Sequence, residues 1–269
     1  MTTTQALPIV DGATRLYGII GDPIQQVKSP EVFTARFRAA GVNALLVPMH
    51  VKPETFDDVV RGLKSLANLD GLIATVPYKS RVLPFADRLF PTGERVGAIN
   101  ALRREADGRW AGEMFDGKGC VAGMRATGVD PRGRDVMLVG AGGAGSAIAD
   151  AVAEAGAKSL SIFDADEGKA RQVVARVARA HGACATSFGA PTTEGKQVLI
   201  NATPIGMAPG DGLPVPDLRL TRDLFVVDVI VKDATPLVAA SRAAGCRTMT
   251  GRSMIEGQAA EMARFFGLP

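Results

Sequence analysis

A glycine-rich turn that follows an apolar segment carries the clearest chemical signal in this sequence. Residues 136–140 predict a buried strand, and the pattern Gly-x-Gly-x-x-Gly begins at the end of that strand. Such glycines permit a tight turn and a close approach of the backbone to a pyrophosphate, while the following helix offers free N–H groups to the anion. A turn without a ligand is the alternative, but this context predicts a dinucleotide site. Its phosphate loop would consist of Gly140, Gly142, Gly143, Ala144 and Gly145.

An acidic segment after the next strand indicates which dinucleotide the site takes. Residues 159–163 predict that strand, and Asp164 follows it, where an acid can accept hydrogen bonds from the ribose hydroxyls. Residues 164–167 contain three carboxylates, and no arginine follows the strand before Arg171. The acids would repel the 2′-phosphate of NADP, and no guanidinium is placed to pair with it. The later acids would also favour the first turn of a helix, but this does not account for Asp164. The segment therefore predicts NAD as the cofactor rather than NADP.

Two blocks of alternating strands and helices would position this loop, which predicts an α/β fold with a mainly parallel, covered sheet. In the first block we expect strands at 15–21, 43–51 and 70–76, a helix with Ser29 as its N-cap, a helix at 53–65, a helical turn at 87–90, and an antiparallel pair at 98–104 and 110–115. In the second block we expect helices at 119–126, 147–155, 167–181, 236–244 and 254–266, and strands at 136–140, 159–163, 197–201 and 224–229. Residues 208–219 are rich in Pro, Gly and Asp and predict a surface loop.

The composition is that of an ordinary globular protein and argues against several other classes. The chain has 269 residues and a net charge of +3, enough for one large or two modest domains. It has no basic tract interleaved with aromatic residues that would bind nucleic acid, and no apolar run long enough for a membrane span. Residues 1–11 lack the pattern of a signal peptide, and the three separated cysteines are typical of reduced thiols. We therefore expect a cytoplasmic monomer or homodimer without nucleic-acid, membrane or metal partners.

Several short motifs follow one another along the chain in a specific order. They are Gly21-Asp22-Pro23-Ile24, Lys28-Ser29-Pro30, Thr75-Val76-Pro77-Tyr78-Lys79, Gly97-Ala98-Ile99-Asn100, Asp116-Gly117, the loop 140–145, Asn201-Ala202-Thr203-Pro204-Ile205-Gly206-Met207 and Gly257-Gln258. In this order the sequence resembles the shikimate dehydrogenase family over residues 16–266. The resemblance implies a substrate domain at 1–116, a Rossmann domain at 117–251 and a cleft between them, with a terminal helix at 252–269 packing back on the substrate domain. It also implies reversible oxidation of the C3 hydroxyl of shikimate, a cyclic polyol carboxylate, with NADP or NAD.

The resemblance assigns the proton transfer of this oxidation to Lys79 and Asp116. An alcohol gives up a hydride only as its hydroxyl proton leaves, so the site needs a proton acceptor, and a donor in the reverse direction. Partial desolvation favours the neutral amine of a lysine, whereas a neighbouring acid favours the ammonium. We therefore expect Lys79 to act as general acid/base and Asp116 as its orienting partner. For Lys79 taken alone, a solvated lysine after a strand is the alternative.

The same resemblance implies the remaining site residues. Amide and hydroxyl groups can bind the ring hydroxyls of a polyol, and the family's pattern implies this role for Asn100, Gln258 and Thr75. Ser29 matches the second serine of a Ser-x-Ser that holds the substrate carboxylate, although it would also be expected to cap its helix. The loops beside the nicotinamide would include Asn201, Ala202, Thr203, Met207 and Gly251.

Four positions depart from the family's pattern, each by exchanging a polar residue for an apolar one. Val27 stands at the first serine of Ser-x-Ser, and Ile73 where asparagine is frequent. Met114 and Phe115 stand before Asp116, where asparagine and threonine are common. A buried polar group that loses its partner costs on the order of 1–3 kcal/mol, so several such losses would weaken shikimate binding. The pattern favours a cyclic acid with fewer, or differently placed, hydroxyls.

Three interpretations of the function stay open. The first is an NAD-preferring dehydrogenase of shikimate or a close cyclic relative such as quinate. The second is a divergent paralogue that acts on another hydroxy acid, and the third is a ligand-sensing module without turnover. The presence of both Lys79 and Asp116 favours an enzyme, because a sensor needs no proton-transfer pair.

Overall fold

Two six-stranded sheets and their connecting helices form the α/β fold of this chain, which confirms the predicted fold class. The structure is a computed structural model that describes residues 10–215 and 218–268. What the sequence predicts for residues 1–9, for residues 216–217 of the expected loop and for residue 269 lies outside the described residues.

The first sheet is mixed and supplies one wall of the cleft. Its strands are β1 (Arg15–Gly21), β2 (Ala44–His50), β3 (Leu69–Ala74), β4 (Arg88–Leu89), β5 (Ala101–Arg104) and β6 (Trp110–Glu113), in the order β2-β1-β3-β5-β6-β4. Strand β1 pairs in parallel with β2 and β3, whereas β5 runs antiparallel to β3 and β6. The accompanying helices are α1 (Ser29–Ala39), α2 (Phe56–Ser65) and α3 (Pro91–Val96). Because β1 and β3 are parallel, the segments that follow them emerge at the same edge of the sheet.

Two local predictions in this half are wrong. The expected helical turn at 87–90 is instead strand β4, because the N–H groups of Asp87 and Phe90 donate to carbonyls of β6. The helix begins only at Pro91, whose fixed φ suits a first turn. Ser29 is not an N-cap: the Lys28 carbonyl accepts the first helical hydrogen bond, so Lys28 caps α1 and Ser29 is its first helical residue.

The second sheet is parallel throughout and has the topology of a dinucleotide-binding domain. Its strands are β7 (Asp135–Val139), β8 (Ser159–Phe163), β9 (Ala185–Phe188), β10 (Val198–Asn201), β11 (Phe225–Asp228) and β12 (Arg247–Thr250), in the order β12-β11-β10-β7-β8-β9. Its helices are α4 (Asp116–Ala126), α5 (Gly143–Glu154), α6 (Glu167–Ala180), α7 (Pro236–Ala243) and α8 (Gly251–Phe265). The strand order reverses between β7 and β10, and ligands of such sheets bind at the carboxyl ends of strands at this point. The edge strands β9 and β12 escaped prediction, since both are short and half-exposed.

Helix α8 connects the two halves. Near its C-terminus, the Phe266 ring packs against Tyr17 and Phe33 at centroid distances of 5.2 and 5.9 Å. Along its length, α8 lies close against α4, where a Cβ atom on Gly119 would come within 2.5 Å of the Met254 carbonyl oxygen. Glycine therefore permits the close approach that carries the terminal helix back to the first sheet.

An ion-pair cluster also joins the two halves, at a place separate from α8. Arg95 of α3 donates from Nε and Nη2 to the two carboxylate oxygens of Asp150 in α5, each at 2.6 Å. His181 Nε2 lies 2.8 Å from the same carboxylate, which is 5% exposed. Arg176 of α6 adds a hydrogen bond of 2.7 Å to the Val96 carbonyl. These contacts hold α3 of the first half against two helices of the second.

Candidate active site

A cavity of about 160 Å³ opens between the two sheets and brings together side chains from distant parts of the chain. All six residues for which the sequence predicts substrate or catalytic roles line it: Ser29, Thr75, Lys79, Asn100, Asp116 and Gln258. The cavity therefore gathers groups from β1–α1, from the segment after β3, and from α4 and α8.

Lys79 is held in place by the buried segment that precedes it. The neighbouring Tyr78 stacks on Phe56 with ring centroids 4.3 Å apart, and its hydroxyl donates to the Val51 carbonyl at 2.6 Å. The Lys79 carbonyl accepts a hydrogen bond of 2.8 Å from the N–H of Ile99. Because both the neighbouring side chain and the backbone are anchored, the Lys79 side chain enters the cavity from a fixed point of the backbone.

Lys79 and Asp116 form an ion pair inside the cavity. The Lys79 Nζ donates to Asp116 Oδ2, and the two side chains are 12% and 2% exposed. Asp116 is the first residue of α4, where the helix dipole stabilises a negative charge. The pair leaves the remaining N–H groups of the ammonium available to a ligand in the cavity.

Asn100 extends this pair into a network. Its Nδ2 donates to Asp116 Oδ1 at 2.9 Å and to Gln258 Oε1 at 3.2 Å. Its Oδ1 accepts from the N–H of Phe115 at 3.0 Å. The Asn100 side chain therefore orients its neighbours through contacts within the protein, and Gln258, brought in by α8, presents its amide at the cavity.

Two hydroxyl groups of the cavity keep their hydrogen-bonding capacity for a ligand. Within residues 10–215 and 218–268, the side chains of Ser29 and Thr75 form no hydrogen bond with the protein, and both line the cavity. Since Ser29 does not cap α1, its hydroxyl is not divided between two tasks.

The phosphate loop has the geometry that a pyrophosphate requires. Gly140 has φ +101°, a conformation that a side chain would strain. A Cβ on Gly145 would lie 1.9 Å from the Gly140 carbonyl oxygen, whereas a Cβ on Gly142 would meet nothing within 4 Å. Helix α5 begins at Gly143, earlier than the predicted start at 147, because the Gly142 carbonyl accepts from the N–H of Ser146 at 2.8 Å. Residues 143–145 of the loop are thus in the first turn of the helix, and the free N–H groups at this helix start fit a dinucleotide.

Asp164 closes this loop from the side of β8. Its two oxygens accept from the N–H groups of Ala141 at 2.7 Å and Asp166 at 2.9 Å. A second pocket beside it is lined by Asp164, Glu167 and Phe188. Arg171 is paired with Glu167 and stacks over the Phe188 ring at 3.9 Å. The carboxylates, rather than a free guanidinium, therefore define the polar character of this pocket.

The loop 201–207, for which the sequence predicts a place beside the nicotinamide, reaches the cavity through three of its residues. Ala202, Thr203 and Met207 line the cavity together with Ala144 of the phosphate loop. Asn201 lies behind this wall: it is fully buried, and its Oδ1 accepts from the Thr203 N–H at 3.0 Å.

Asp228 links the loop 201–207 to the segment that follows β11, and the sequence analysis missed it. Its Oδ1 accepts from Asn201 Nδ2 at 3.1 Å and from the N–H of Ile230 at 3.2 Å, and its Oδ2 accepts from the Thr235 hydroxyl at 2.6 Å. Burial raises the pKa of this carboxyl. Gly251 packs behind the same wall, since a Cβ there would lie 2.2 Å from the Val229 carbonyl oxygen. An acid at the end of an apolar strand was the only signal that could have revealed Asp228.

The four apolar departures divide into two groups. Val27 and Ile73 line the cavity. Met114 and Phe115 do not line it; they belong to hydrophobic clusters and are 0% and 4% exposed. Only two of the four exchanges therefore change the wall that a substrate meets.

Within residues 10–215 and 218–268, no helix is both long and apolar enough to cross a membrane. Nor does this part of the chain hold a group of three or more His, Cys, Asp or Glu residues with the arrangement of a metal site.

Comparison with known sequences relates this chain to one family over nearly its whole length. Residues 19–102 match the family model of the shikimate dehydrogenase substrate binding domain. A protein of Rubrobacter xylanophilus named shikimate dehydrogenase (NADP(+)) is 36% identical over 264 residues, which cover 96% of this chain and 93% of that protein.

Two solved structures share the fold over nearly the whole chain. Shikimate 5-dehydrogenase of Listeria monocytogenes, in complex with shikimate and NAD, superimposes with a TM-score of 0.82 at 28% identity, over 96% of this chain and 93% of that one. Quinate dehydrogenase of Corynebacterium glutamicum, in complex with NAD, gives a TM-score of 0.79 at 28% identity, over 94% and 93%.

Proposed function

This chain belongs to the shikimate dehydrogenase family, and we propose that it transfers a hydride reversibly between a ring hydroxyl of shikimate or a close cyclic relative, such as quinate, and a nicotinamide. It is an oxidoreductase that uses a pyridine nucleotide. The observation that carries the proposal is the buried Lys79–Asp116 pair, which lines the same cavity as Ala144 of the phosphate loop.

Lys79 moves the proton in this reaction. A bound nicotinamide supplies the acceptor for the hydride. In oxidation, the neutral Lys79 amine takes the hydroxyl proton of the substrate. In reduction, the ammonium gives a proton to the developing alkoxide. Asp116 orients the amine and stabilises its charged form, and Asn100 holds the Asp116 carboxylate from the opposite oxygen.

The substrate ring is bound by the groups that keep free hydrogen-bonding capacity. Gln258, Thr75 and Ser29 bind ring hydroxyls or a carboxylate, while Asn100 positions Asp116 and Gln258. A ligand held this way has its reacting carbinol beside Lys79. Ala202, Thr203 and Met207 form the nicotinamide side of the cleft, and Asn201 and Gly251 position that wall.

NAD is the preferred cofactor in this proposal, in contrast to the NADP(+) in the name of the Rubrobacter relative. Asp164 and Glu167 line the pocket that follows β8, and Arg171 is engaged by Glu167 and Phe188. A 2′-phosphate there would meet carboxylates without a free guanidinium. The test is the ratio of kcat/KM for NAD and NADP, and a clear preference for NADP would reject this part.

A ligand sensor without turnover is the second candidate, and it shares the same cavity. A sensor would not need a proton-transfer pair, so the buried pair of Lys79 and Asp116 favours the enzyme. Adding shikimate or quinate with NAD and following NADH absorbance separates the two. Ligand binding without NADH formation would favour the sensor.

The domain division is part of the proposal. We assign residues 1–116 and 252–269 to the substrate domain and 117–251 to the cofactor domain. The division is supported by the separate sheets and by α8, whose end packs into the core of the first sheet. The cytoplasmic location and the monomeric or homodimeric state stay predictions from the sequence.

A further inference from the structure

The first turn of α5 packs against the stem of the Lys79 side chain. A Cβ atom on Gly143 would lie 2.8 Å from the Lys79 Cβ, 3.5 Å from the Lys79 Cδ and 3.6 Å from the Ala98 Cβ. Carbon atoms pack at about 3.5–4.0 Å, so only a residue without a Cβ lets α5 begin against Lys79. The turn that carries the phosphate loop is therefore also a wall of the lysine side chain.

The same helix packs beside the partner of Lys79. Gly117 follows Asp116 in α4, and a Cβ atom on Gly117 would lie 2.1 Å from the carbonyl oxygen of Ala147 and 2.8 Å from the Cβ of Ala151. Because the nearest atom belongs to the backbone, no side-chain rotation could make room for such a Cβ. The backbones of α4 and α5 therefore meet directly beside Asp116.

One face of α5 makes both of these contacts. Gly143, Ala147 and Ala151 follow one another at intervals of four residues, which places them on one side of the helix. This face meets Lys79 at its start and the first turn of α4, which contains Asp116, about one and two turns further along. Both members of the ion pair are therefore packed against a single rigid element.

Resting on the proposed function, we propose that this face of α5 positions the proton-transfer pair, with Gly143 and Gly117 as the positioning residues for Lys79 and Asp116. Lys79 and Asp116 line the cavity, whereas the two glycines do not. The glycines act through these two side chains, by fixing where the amine stands relative to the carboxylate and to the carbinol of a bound substrate. The helix that begins at the phosphate loop thereby also sets the geometry of proton transfer.

The separate responses of kcat and KM test this positioning. The full-length variant Gly143→Ala is assayed on shikimate and quinate at saturating NAD, and its Kd for NAD is measured separately. We expect kcat to fall by about tenfold or more, because a displacement of about 1 Å at a reacting group can cost about 10²-fold. KM for the substrate should stay within about threefold, since Ser29, Thr75 and Gln258 are unchanged. A normal kcat in Gly143→Ala overturns the inference and leaves the proposed dehydrogenase intact.

Gly71→Ala is the control for a general loss of packing. A Cβ atom on Gly71 would lie 2.6 Å from the Tyr17 ring and 2.7 Å from the Phe266 ring, in the core of the first sheet and away from α5. We expect Gly71→Ala to lower the melting temperature without lowering kcat. If kcat falls as far in Gly71→Ala as in Gly143→Ala, loss of packing explains the effect and the inference fails.

Thermal unfolding provides a readout that does not depend on turnover. The background Lys79→Ala/Asp116→Asn keeps a Cβ at position 79, whereas Lys79→Gly/Asp116→Asn has none. Adding Gly143→Ala should lower the melting temperature in the first background and not in the second, because the clash needs both Cβ atoms. Equal shifts in the two backgrounds overturn the inference. The expected difference, found in a protein whose wild type forms no NADH, would keep the positioning of Lys79 by α5 and reject the dehydrogenase.

Discussion

The Lys79 ammonium donates to the Asp116 carboxylate although the two residues are 37 positions apart and belong to different elements. Lys79 follows β3 of the first sheet, and Asp116 opens α4, which leads into the second half of the chain. The pair therefore lies where the two halves meet. A substrate that reaches it also lies beside the phosphate loop.

Removing the lysine should abolish proton transfer without removing the cofactor site. We expect Lys79→Met to lower kcat by about 10²–10⁴-fold, the usual contribution of a general acid/base, with an unchanged Kd for NAD. Lys118→Met, which alters an exposed lysine of the same helix as Asp116, serves as control. Near-normal kcat in Lys79→Met would contradict the assignment. The double variant Lys79→Met/Asp116→Asn leaves no unpaired buried charge. If it is folded and its kcat is as low as that of Lys79→Met, the lost activity does not come from unfolding.

Two glycines of the phosphate loop should respond differently to alanine. In Gly145→Ala, the added Cβ would clash with the Gly140 carbonyl oxygen at 1.9 Å, so we expect a lower melting temperature. In Gly142→Ala, the Cβ enters open space, so the fold should be kept. The Kd for NAD should rise, because the second glycine of this pattern is proposed to face the pyrophosphate. Thermal unfolding and NAD titration of both variants check this. Equal melting temperatures would argue against the packing role of Gly145.

Changing the acidic corner after β8 should change cofactor preference. Asp164→Asn/Ala165→Arg removes one carboxylate and adds a guanidinium in the pocket beside Glu167. We expect the ratio of kcat/KM for NAD over NADP to fall by about tenfold or more, since charge-assisted hydrogen bonds to a phosphate contribute about 1.5–3 kcal/mol. Lys169→Arg is the control, because Lys169 lies on α6 like Glu167 but outside this pocket. An unchanged ratio in the double variant would place the 2′-phosphate elsewhere.

Asp228 should make stability depend on pH in a defined direction. Burial raises the pKa of its carboxyl in the folded state, so its ionisation opposes folding. Below the unfolded-state pKa of about 3.9 there is no penalty. The penalty grows as pH rises towards the raised pKa and is constant above it. Relative to wild type, Asp228→Asn should therefore gain stability as pH rises above about 4. Urea unfolding at several pH values measures this, and a difference independent of pH would refute it.

The two carboxylates near Arg95 in the ion-pair cluster, those of Asp150 and Glu154, should contribute unequally to stability. Asp150→Ala leaves Arg95 and His181 without their buried partner, which we expect to cost about 3–5 kcal/mol in the free energy of unfolding. Glu154, also near Arg95 at 3.6 Å but 55% exposed, is the matched control. Glu154→Ala should cost less than about 1 kcal/mol. Similar losses in both variants would show that burial of Asp150 does not set the cost.

The sequence could predict the features that depend on neighbouring residues. Gly140 and Gly145 of the loop 140–145 form the tight turn and the close approach expected of them, because a positive φ and a close approach are local requirements of the backbone. Strands β1 and β8 have their predicted bounds, since an apolar run bounded by turns defines them. Ser29 failed as an N-cap because the turn before α1 moved the first helical hydrogen bond to Lys28.

What the tertiary structure decided is which distant groups share the cleft. Gln258 meets Asn100 across 158 positions only because glycines let α8 pack closely on α4. Asp228 supports the loop 201–207 through Asn201 because parallel pairing sets β10 beside β11. Met114 and Phe115 stand next to Asp116 in sequence but are buried in the cores, whereas Val27 and Ile73 reach the cavity. Sequence patterns report the period of a strand or helix and the needs of a turn. Which side chains face one another is set by packing between elements, and no local pattern contains it.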